Sequence, residues 1–172
     1  ETRAAQSFTT TPLQTMPSAF GAASDLANAD PNAIAPLTPT TSPVTFDLPP
    51  EGVGPIELRQ AAANGDVRAQ FEVAAILTEG RAIPQDYAGA AVWYERAAAR
   101  GFIPAQYRLG SLYENGNGVD KDLNTAKIWY ERAAEAGNRM SMHNLAALYA
   151  SGQLGKQQFD SAAKWFEEAA SR

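Results

Sequence analysis

The sequence has no cysteine and only one histidine, His143, among its 172 residues. The absence of cysteine excludes disulfides, thiolate metal ligands and thiol catalysis. A lone histidine also lacks the partners at defined spacings that metal sites and acid–base pairs require. We therefore expect no metal, no cofactor and no catalytic residue, and we predict that the protein is not an enzyme.

Clusters of basic residues and long apolar runs are missing as well. The 14 Lys and Arg residues are dispersed among 19 Asp and Glu residues, which leaves a net charge of −5. Nucleic acid binding needs clustered positive charge to displace phosphate counterions, so we expect no nucleic acid partner. No stretch approaches the roughly 18 apolar residues of a membrane span, so any membrane attachment is expected outside this chain.

Residues 1–54 differ in composition from the rest of the chain. Nine of the 11 prolines occur at or before Pro55, and only five charged residues precede Glu51. Such a segment can bury little apolar surface, and X-Pro pairs favour extended backbone. We predict a Pro/Thr/Ser/Ala-rich linker over 1–54, mostly without regular structure. In an alternative, apolar side chains of the linker dock on the folded part, namely Phe20, Leu26, Phe46 and Leu48.

From Pro55 onward the sequence repeats with a period of 36 residues. Two glycine columns, one tryptophan column and an alanine pair share this spacing. They are Gly65/Gly101/Gly137, Gly80/Gly116/Gly152, Trp93/Trp129/Trp165 and the pairs that begin at Ala61, Ala97, Ala133 and Ala169. Agreement of so many columns at one spacing predicts a repeat architecture. We divide 55–172 into a half repeat (55–65) and three repeats (66–101, 102–137 and 138–172).

Each repeat is predicted to contain two helices. Apolar residues recur at helical spacing over 67–78, 104–114 and 139–150, where we expect the first helices. The glycines at the second glycine column follow as helix breakers. The second helices are expected to begin near Tyr87, Leu123 and Phe159 and to end at the alanine pairs. The pattern predicts an all-α fold, an α/α superhelical solenoid in which stacked hairpins bury a continuous core.

The run from Ala105 to Val119, AQYRLGSLYENGNGV, resembles the Sel1-like repeat, a relative of the tetratricopeptide repeat. The resemblance covers about 55–172. It is weaker in the third copy, where Leu154-Gly155 replaces a Gly-Val pair and Gln158 replaces an Asp, so we expect a different loop there. The resemblance implies a right-handed superhelix whose first helices line a concave, protein-binding face.

Three further runs resemble bacterial polar-organelle localisation factors, namely Leu58–Gly65, Ala69–Ala74 and Arg139–Ala146. Those proteins carry a Pro-rich periplasmic linker followed by Sel1-like repeats, which is the order of regions here. The resemblance implies a periplasmic module that acts in cell polarity. The chain begins at Glu1 and stops inside a repeat, so we expect a fragment of a longer protein anchored in the inner membrane.

The candidate binding residues lie on the predicted first helices. If Val73, Leu109 and Leu145 point inward, helical geometry places other side chains on the concave face. These are Arg68, Phe71, Glu72, Tyr107, Arg108, Ser111, Met140, His143 and Asn144. Glu72, Arg108 and Asn144 share one column, so the groove is expected to have mixed charge. In the alternative interpretation, Phe71 and Tyr107 pack between helices, as aromatic side chains at helical spacing commonly do.

Three functions remain open from the sequence. The first is a scaffold that holds a protein in the concave groove, with an extended peptide, a helix or the chain's own N-terminal segment as the ligand. The second is a peptidoglycan-binding module, which would need exposed aromatic side chains on one face. The third is a periplasmic regulator of a sensor kinase.

One weaker motif has the spacing of a calcium loop. It comprises Asp120, Asp122, Asn124 and Glu131. Thr125 replaces the glycine that such a loop needs, and the predicted second helix would prevent the ligands from converging. We therefore assign the motif to the repeat and expect no calcium site.

Overall fold

The computed structural model describes residues 45–172, and this part of the chain contains helices and no strand. A short 3₁₀ helix, Glu51–Val53, precedes the α-helices. These are α1 (Ile56–Ala63), α2 (Val67–Glu79), α3 (Tyr87–Ala99), α4 (Ile103–Asn115), α5 (Leu123–Glu135), α6 (Arg139–Ser151) and α7 (Phe159–Ser171). The all-α prediction is confirmed, and the predicted first helices agree with α2, α4 and α6 to within one residue at each end.

Short polar side chains and glycines set the ends of these helices. Before α2, α3, α5 and α6, a side chain accepts a hydrogen bond from a backbone N–H of the first turn. The capping residues are Asp66, Asp86, Asp122 and Asn138. Each first helix then stops at a glycine in the left-handed conformation, with φ of 66°, 73° and 72° at Gly80, Gly116 and Gly152. A side chain is disfavoured at such φ values, which explains the glycine column.

The third repeat lacks one of these caps. Gln158 precedes α7 at the position of Asp86 and Asp122 but forms no side-chain cap. Its backbone N–H still donates to the carbonyl of Tyr149 at 2.9 Å, as that of Asp86 does to Leu77. The loop therefore keeps the backbone hydrogen bond that the first repeat has at this position. However, α7 lacks a side-chain cap, which typically contributes about 1 kcal/mol to stability.

Each helix packs against its neighbours in the chain, from α1 to α7. Alanines with almost no exposed surface lie at these contacts, among them Ala62, Ala97, Ala98, Ala133 and Ala134. Their small side chains let the helix axes approach closely, and the fully buried Tyr94 and Tyr130 fill the remaining volume. The alanine pairs at 97–98 and 133–134 are thus part of the contact surface between helices.

A repeated hydrogen bond ties each of the first two repeats to the helix before it. Gln70 Nε2 donates to the carbonyl of Ala62 at 3.1 Å. Gln106 Nε2, 36 residues later, donates to the carbonyl of Ala98 at 3.2 Å. Met142 takes the same position in the third repeat and is equally buried. A side chain of similar length can therefore replace the bond with apolar contact.

The residues before α1 pack against the repeats. The backbone N–H of Phe46 donates to the carbonyl of Ala63 at 2.8 Å. Its ring stands edge-on to Trp93 with centroids 6.5 Å apart, and the guanidinium of Arg96 lies 4.4 Å from the Phe46 ring centre. Three residues further along the segment, the carbonyl of Pro49 accepts a hydrogen bond from Arg59 Nε at 2.7 Å.

This packing extends across the predicted boundary between linker and repeats. Val53 is 1% exposed and belongs to the hydrophobic cluster formed with α1, α2, α3 and α4, although it lies on the linker side of residue 54. Of the linker side chains singled out in the sequence, Phe46 is docked and Leu48 is 47% exposed. Phe20 and Leu26 lie outside the described residues.

The loop between α4 and α5 is predicted to tolerate no side chain at Gly118. Its φ is +72°, and an added Cβ would lie 2.2 Å from the carbonyl carbon of Tyr87. Gly101 has a similar φ of +84°, but nothing within 4 Å of an added Cβ. We expect Gly101→Ala to cost about 1–2 kcal/mol from backbone conformation alone. Gly118→Ala should cost at least about 1 kcal/mol more, because backbone must move.

Urea denaturation followed by far-UV circular dichroism measures both losses. Equal losses in the two variants would show that the close approach at Gly118 does not constrain the loop.

Candidate protein-binding face

The predicted binding residues all lie on α2, α4 and α6, and they fall into two groups by exposure. The exposed ones are Arg68, Glu72, Arg108, Met140 and His143. The half-buried ones are Phe71, Tyr107, Ser111 and Asn144. We call the solvent-exposed side of these three helices the A-helix face.

Phe71 and Tyr107 take part in packing between helices. The Phe71 ring centre lies 5.4 Å from that of Tyr94 and 5.4 Å from that of Phe102. The Tyr107 ring centre lies 6.1 Å from that of Tyr130. Both rings therefore contribute to the core, as the alternative interpretation anticipated, and only their exposed edges are available to a partner.

Asn144 is held in place by a hydrogen-bond chain that crosses three helices. Its Nδ2 donates to the hydroxyl of Tyr130 at 3.1 Å, and that hydroxyl donates to Glu114 Oε2 at 2.6 Å. Burial, together with the bond to Glu114, raises the pKa of Tyr130 well above its ordinary value. The chain joins α4, α5 and α6, so the second and third repeats are fixed relative to each other at this point.

A second tyrosine–carboxylate pair lies at the far end of α6. Tyr149 donates to Glu131 Oε1 at 2.9 Å, and Lys127 Nζ lies 3.8 Å from the same oxygen. Burial and the hydrogen bond to Glu131 raise the pKa of Tyr149 to about 12. The protonated phenol therefore stabilises the contact between α5 and α6.

Met140 and His143 give the A-helix face an apolar and an aromatic side chain on α6. Met140 is 56% exposed. The His143 ring lies 5.3 Å from that of Phe166 on α7, at a steep angle. Together with Arg139 and Ala169 they line an open depression of about 480 Å³. Methionine and aromatic groups beside an arginine are types that protein interfaces favour.

The tryptophans face the neighbouring helices. Trp93 is buried. Trp129 is half-buried against the hydrophobic cluster of α1–α4, and Trp165 is half-buried against a second cluster formed by α5 and α6. The large apolar side chains that the described residues expose include no Trp and no Tyr: they are Leu48, Ile56, Val92, Ile128, Met140, Phe159 and Phe166. The described residues thus present no Trp or Tyr that is more than partly exposed, although Trp129 and Trp165 each keep an exposed part.

Ionisable groups in 45–172 form no candidate metal cluster of three or more His, Cys, Asp or Glu side chains. In the motif with calcium-loop spacing, Asp122 is engaged in capping α5. Its carboxylate accepts hydrogen bonds from the N–H groups of Asn124 and Thr125 and from the Thr125 hydroxyl. The bonds from Thr125 hold the pKa of Asp122 below its ordinary value. No helix of the described residues has the length and hydropathy to cross a membrane.

Two cation–π pairs on the second helices were not recognised in the sequence. The Arg96 guanidinium lies 4.3 Å from the Trp93 ring centre, and that of Arg132 lies 4.7 Å from Trp129. The signal was present, because Trp-Tyr-Glu-Arg occurs at 93–96 and again at 129–132. The spacing of three residues places the two side chains on one side of a helix.

Comparison with known proteins agrees with this architecture. The family model of the Sel1 repeat matches residues 67–102, 103–138 and 139–172, and the chain belongs to the Sel1 repeat family. Sel1 repeats generally mediate protein–protein interaction.

Several solved structures are similar to this chain, and two of them are Sel1-type proteins. One is a protective antigen present in uropathogenic Escherichia coli strains, described as displaying an SLR fold. It is 37% identical over 67% of this chain, with a TM-score of 0.64. The other is a Sel1 repeat protein from Oxalobacter formigenes, 29% identical over 63% of this chain, with a TM-score of 0.59. The matches span 25% and 44% of those chains. No curated protein matches.

The raised pKa of Tyr149 predicts that the folded protein loses stability at alkaline pH. Its pKa is about 12 in the fold and about 10 in an unfolded chain, so the unfolded state releases the proton first. The contribution is complete below about pH 10 and disappears as pH rises through about 12. We expect the urea midpoint to fall less steeply with pH over this range in Tyr149→Phe than in the wild type.

Tyr87→Phe, on α3, is the control variant, because it removes a tyrosine hydroxyl at a different position from the bond to Glu131. Identical pH profiles for Tyr149→Phe and the wild type would show that the bond to Glu131 does not couple ionisation to folding.

Proposed function

We propose that this chain is a non-enzymatic scaffold whose A-helix face binds a protein partner. The supporting observation is that α2, α4 and α6 expose charged and apolar side chains at equivalent positions of successive repeats. One column carries Arg68 and Met140, and another carries Glu72 and Arg108. None of these four side chains is buried in the helix packing, so the fold does not require their identity.

The ligand of this face is an extended segment or a helix that contacts all three repeats. The alternation of Glu72 and Arg108 calls for opposite charges about one repeat apart on the partner. Met140, with the neighbouring depression beside His143, supplies the apolar contact that desolvated anchor residues need.

The location and biological role in this proposal rest on resemblance. The linker followed by Sel1 repeats is similar to the periplasmic part of bacterial polar-organelle localisation factors, and we propose a periplasmic module of cell polarity. In spheroplasts of cells that make the natural protein, added protease should digest these repeats. Protection until the inner membrane is disrupted would contradict the location.

Charge reversal on the A-helix face tests the binding function. We expect the immobilised chain to retain a protein from periplasmic extract, and Arg108→Glu or Glu72→Arg to reduce retention at least about tenfold, as for a central interface residue. Glu167→Arg, an exposed reversal on α7, is the matched control and should leave retention unchanged.

Two results would contradict the proposal. One is retention that all three variants preserve, which would place the partner elsewhere. The other is sedimentation with purified peptidoglycan sacculi in place of protein capture, which would favour the cell-wall alternative.

A further inference from the structure

The segment before α1 occupies a groove between two of the second helices. We call this the first groove. It is lined by the carbonyl of Ala63 at the end of α1 and by Trp93 and Arg96 on α3, and it holds Phe46. The contacts are a backbone hydrogen bond, an edge-on aromatic pair and a guanidinium that touches both rings. These are contacts that an extended peptide with an aromatic side chain can make without further specificity.

The 36-residue period repeats these lining residues one repeat later, on α3 and α5. We call the surface that they form the second groove. Ala99 takes the place of Ala63, Trp129 that of Trp93, and Arg132 that of Arg96. Trp129 packs against the hydrophobic cluster to which α3 and α4 contribute, and Trp93 is a member of the same cluster. Arg132 already lies over Trp129, in the arrangement that contacts Phe46 one repeat earlier.

Among the described residues, nothing takes the place of Phe46 in the second groove. Trp93 is 6% exposed beneath Phe46, whereas Trp129 is half-buried and Arg132 and Ala99 are exposed. No described donor forms a hydrogen bond with the Ala99 carbonyl. The second groove thus keeps the Trp–Arg pair and the Ala carbonyl of the first groove, and these groups are accessible.

The end of the second groove beside Gly101 is also open. In the first groove, Arg100 Nη1 donates to the carbonyl of Gly65. The residue equivalent to Arg100 in the next repeat is Ala136, which has no donor to offer Gly101. A Cβ added at Gly101 would meet nothing within 4 Å.

The corresponding position between α5 and α7 is different. Trp165 is followed three residues later by Glu168 rather than by an arginine. Glu168 forms an ion pair with Arg172 at 2.8 Å. The cation that contacts the aromatic ring is therefore missing there, and the second groove is the one open copy in 45–172 with the complete set.

We propose that the second groove is a docking site for an extended peptide of a partner protein, with an aromatic side chain between Trp129 and Arg132 and basic residues on both sides. This surface lies on the second helices and is distinct from the A-helix face. The aromatic preference follows from the first groove.

We expect basic residues on both sides of the peptide's aromatic residue because of two differences between the grooves. Arg59, which donates to the carbonyl of Pro49 three residues after Phe46, is replaced one repeat later by the exposed Glu95. That position therefore requires a donor from the ligand. Before the aromatic residue, the carbonyl of Gly101 lacks the donor that Arg100 gives to Gly65, so a second basic residue fits there.

The same requirement argues against the chain's own N-terminal segment as the occupant. Residues 1–44 contain two phenylalanines, Phe8 and Phe20, but their only basic residue is Arg3. Neither phenylalanine has a basic residue three positions later. A partner with basic residues beside an aromatic one matches the groove better.

Fluorescence anisotropy with a labelled peptide, Gly-Arg-Thr-Phe-Ala-Leu-Lys-Gly, and the full chain tests this assignment. The peptide copies the Thr-Phe-x-Leu spacing of the first groove and adds the two basic residues. We expect saturable binding that becomes about fivefold weaker in Arg132→Glu, the loss expected from one exposed cation–π contact and its reversal. Replacing the peptide's Phe by Ala should have a similar effect.

Two matched variants separate this site from the others. Arg96→Glu and Arg108→Glu should each bind the peptide within about twofold of the wild type, since neither lines the second groove. Loss in Arg96→Glu would mean that the peptide displaces Phe46 from the first groove. Loss in Arg108→Glu would mean that it binds the A-helix face.

Either of these losses, or full binding by Arg132→Glu, or no saturable binding by the wild type, would overturn the assignment. Circular dichroism of Arg132→Glu should match the wild type, because the side chain is exposed. These outcomes are independent of whether periplasmic capture depends on Arg108.

Discussion

Close approach of helices through alanine is the constraint on which this structure depends. A single hairpin has too little apolar surface to fold alone, so each must be covered by the next. Ala97 and Ala98 on α3, and Ala133 and Ala134 on α5, have almost no exposed surface because neighbouring helices lie directly against them. A larger side chain at any of these positions would separate the helices and open the core. Tyr94 and Tyr130 fill the volume that the alanines leave.

The 36-residue period repeats the surface positions as well as the core positions. Substitutions at some of the equivalent surface positions make the surface chemistry of the repeats different. At the position of Arg96 and Arg132, the third repeat has Glu168, which changes the groove beside Trp165 from cationic to acidic. At the position of Arg100, the second repeat has Ala136, which leaves a carbonyl without its donor. A solenoid can vary such residues freely because they lie outside the alanine contacts. Two surfaces with different ligand preferences can thus coexist on one fold.

Among the described helices, α7 packs mainly against α6. Only Ala162 of α7 is buried, while Phe159 is 62% exposed and Phe166 is 39% exposed. The missing cap at Gln158 adds to this, so α7 depends mainly on its contacts with α6. The pair formed by His143 and Phe166 belongs both to those contacts and to the A-helix face. Binding at this end would therefore influence the order of α7.

Much of the fold could be predicted because it depends on local and periodic features. Glycine at Gly80, Gly116 and Gly152 is needed wherever a helix must end in the left-handed conformation, and such positions can be recognised without a structure. The candidate site was less predictable. Phe71 and Tyr107 have the residue types of a binding surface, yet whether their rings face solvent or Tyr94 and Tyr130 depends on how helices stack.

By itself, the sequence determined the repeat period, the helix limits and the chemical types available at each column, because these follow from neighbours in the chain. The tertiary structure alone decided which columns meet. It brought Phe46 from the linker onto Trp93 and Arg96, residues about 50 positions away, and it joined Glu114, Tyr130 and Asn144 into one chain of hydrogen bonds. Contacts of this range depend on the packing of whole helices, which no local pattern encodes.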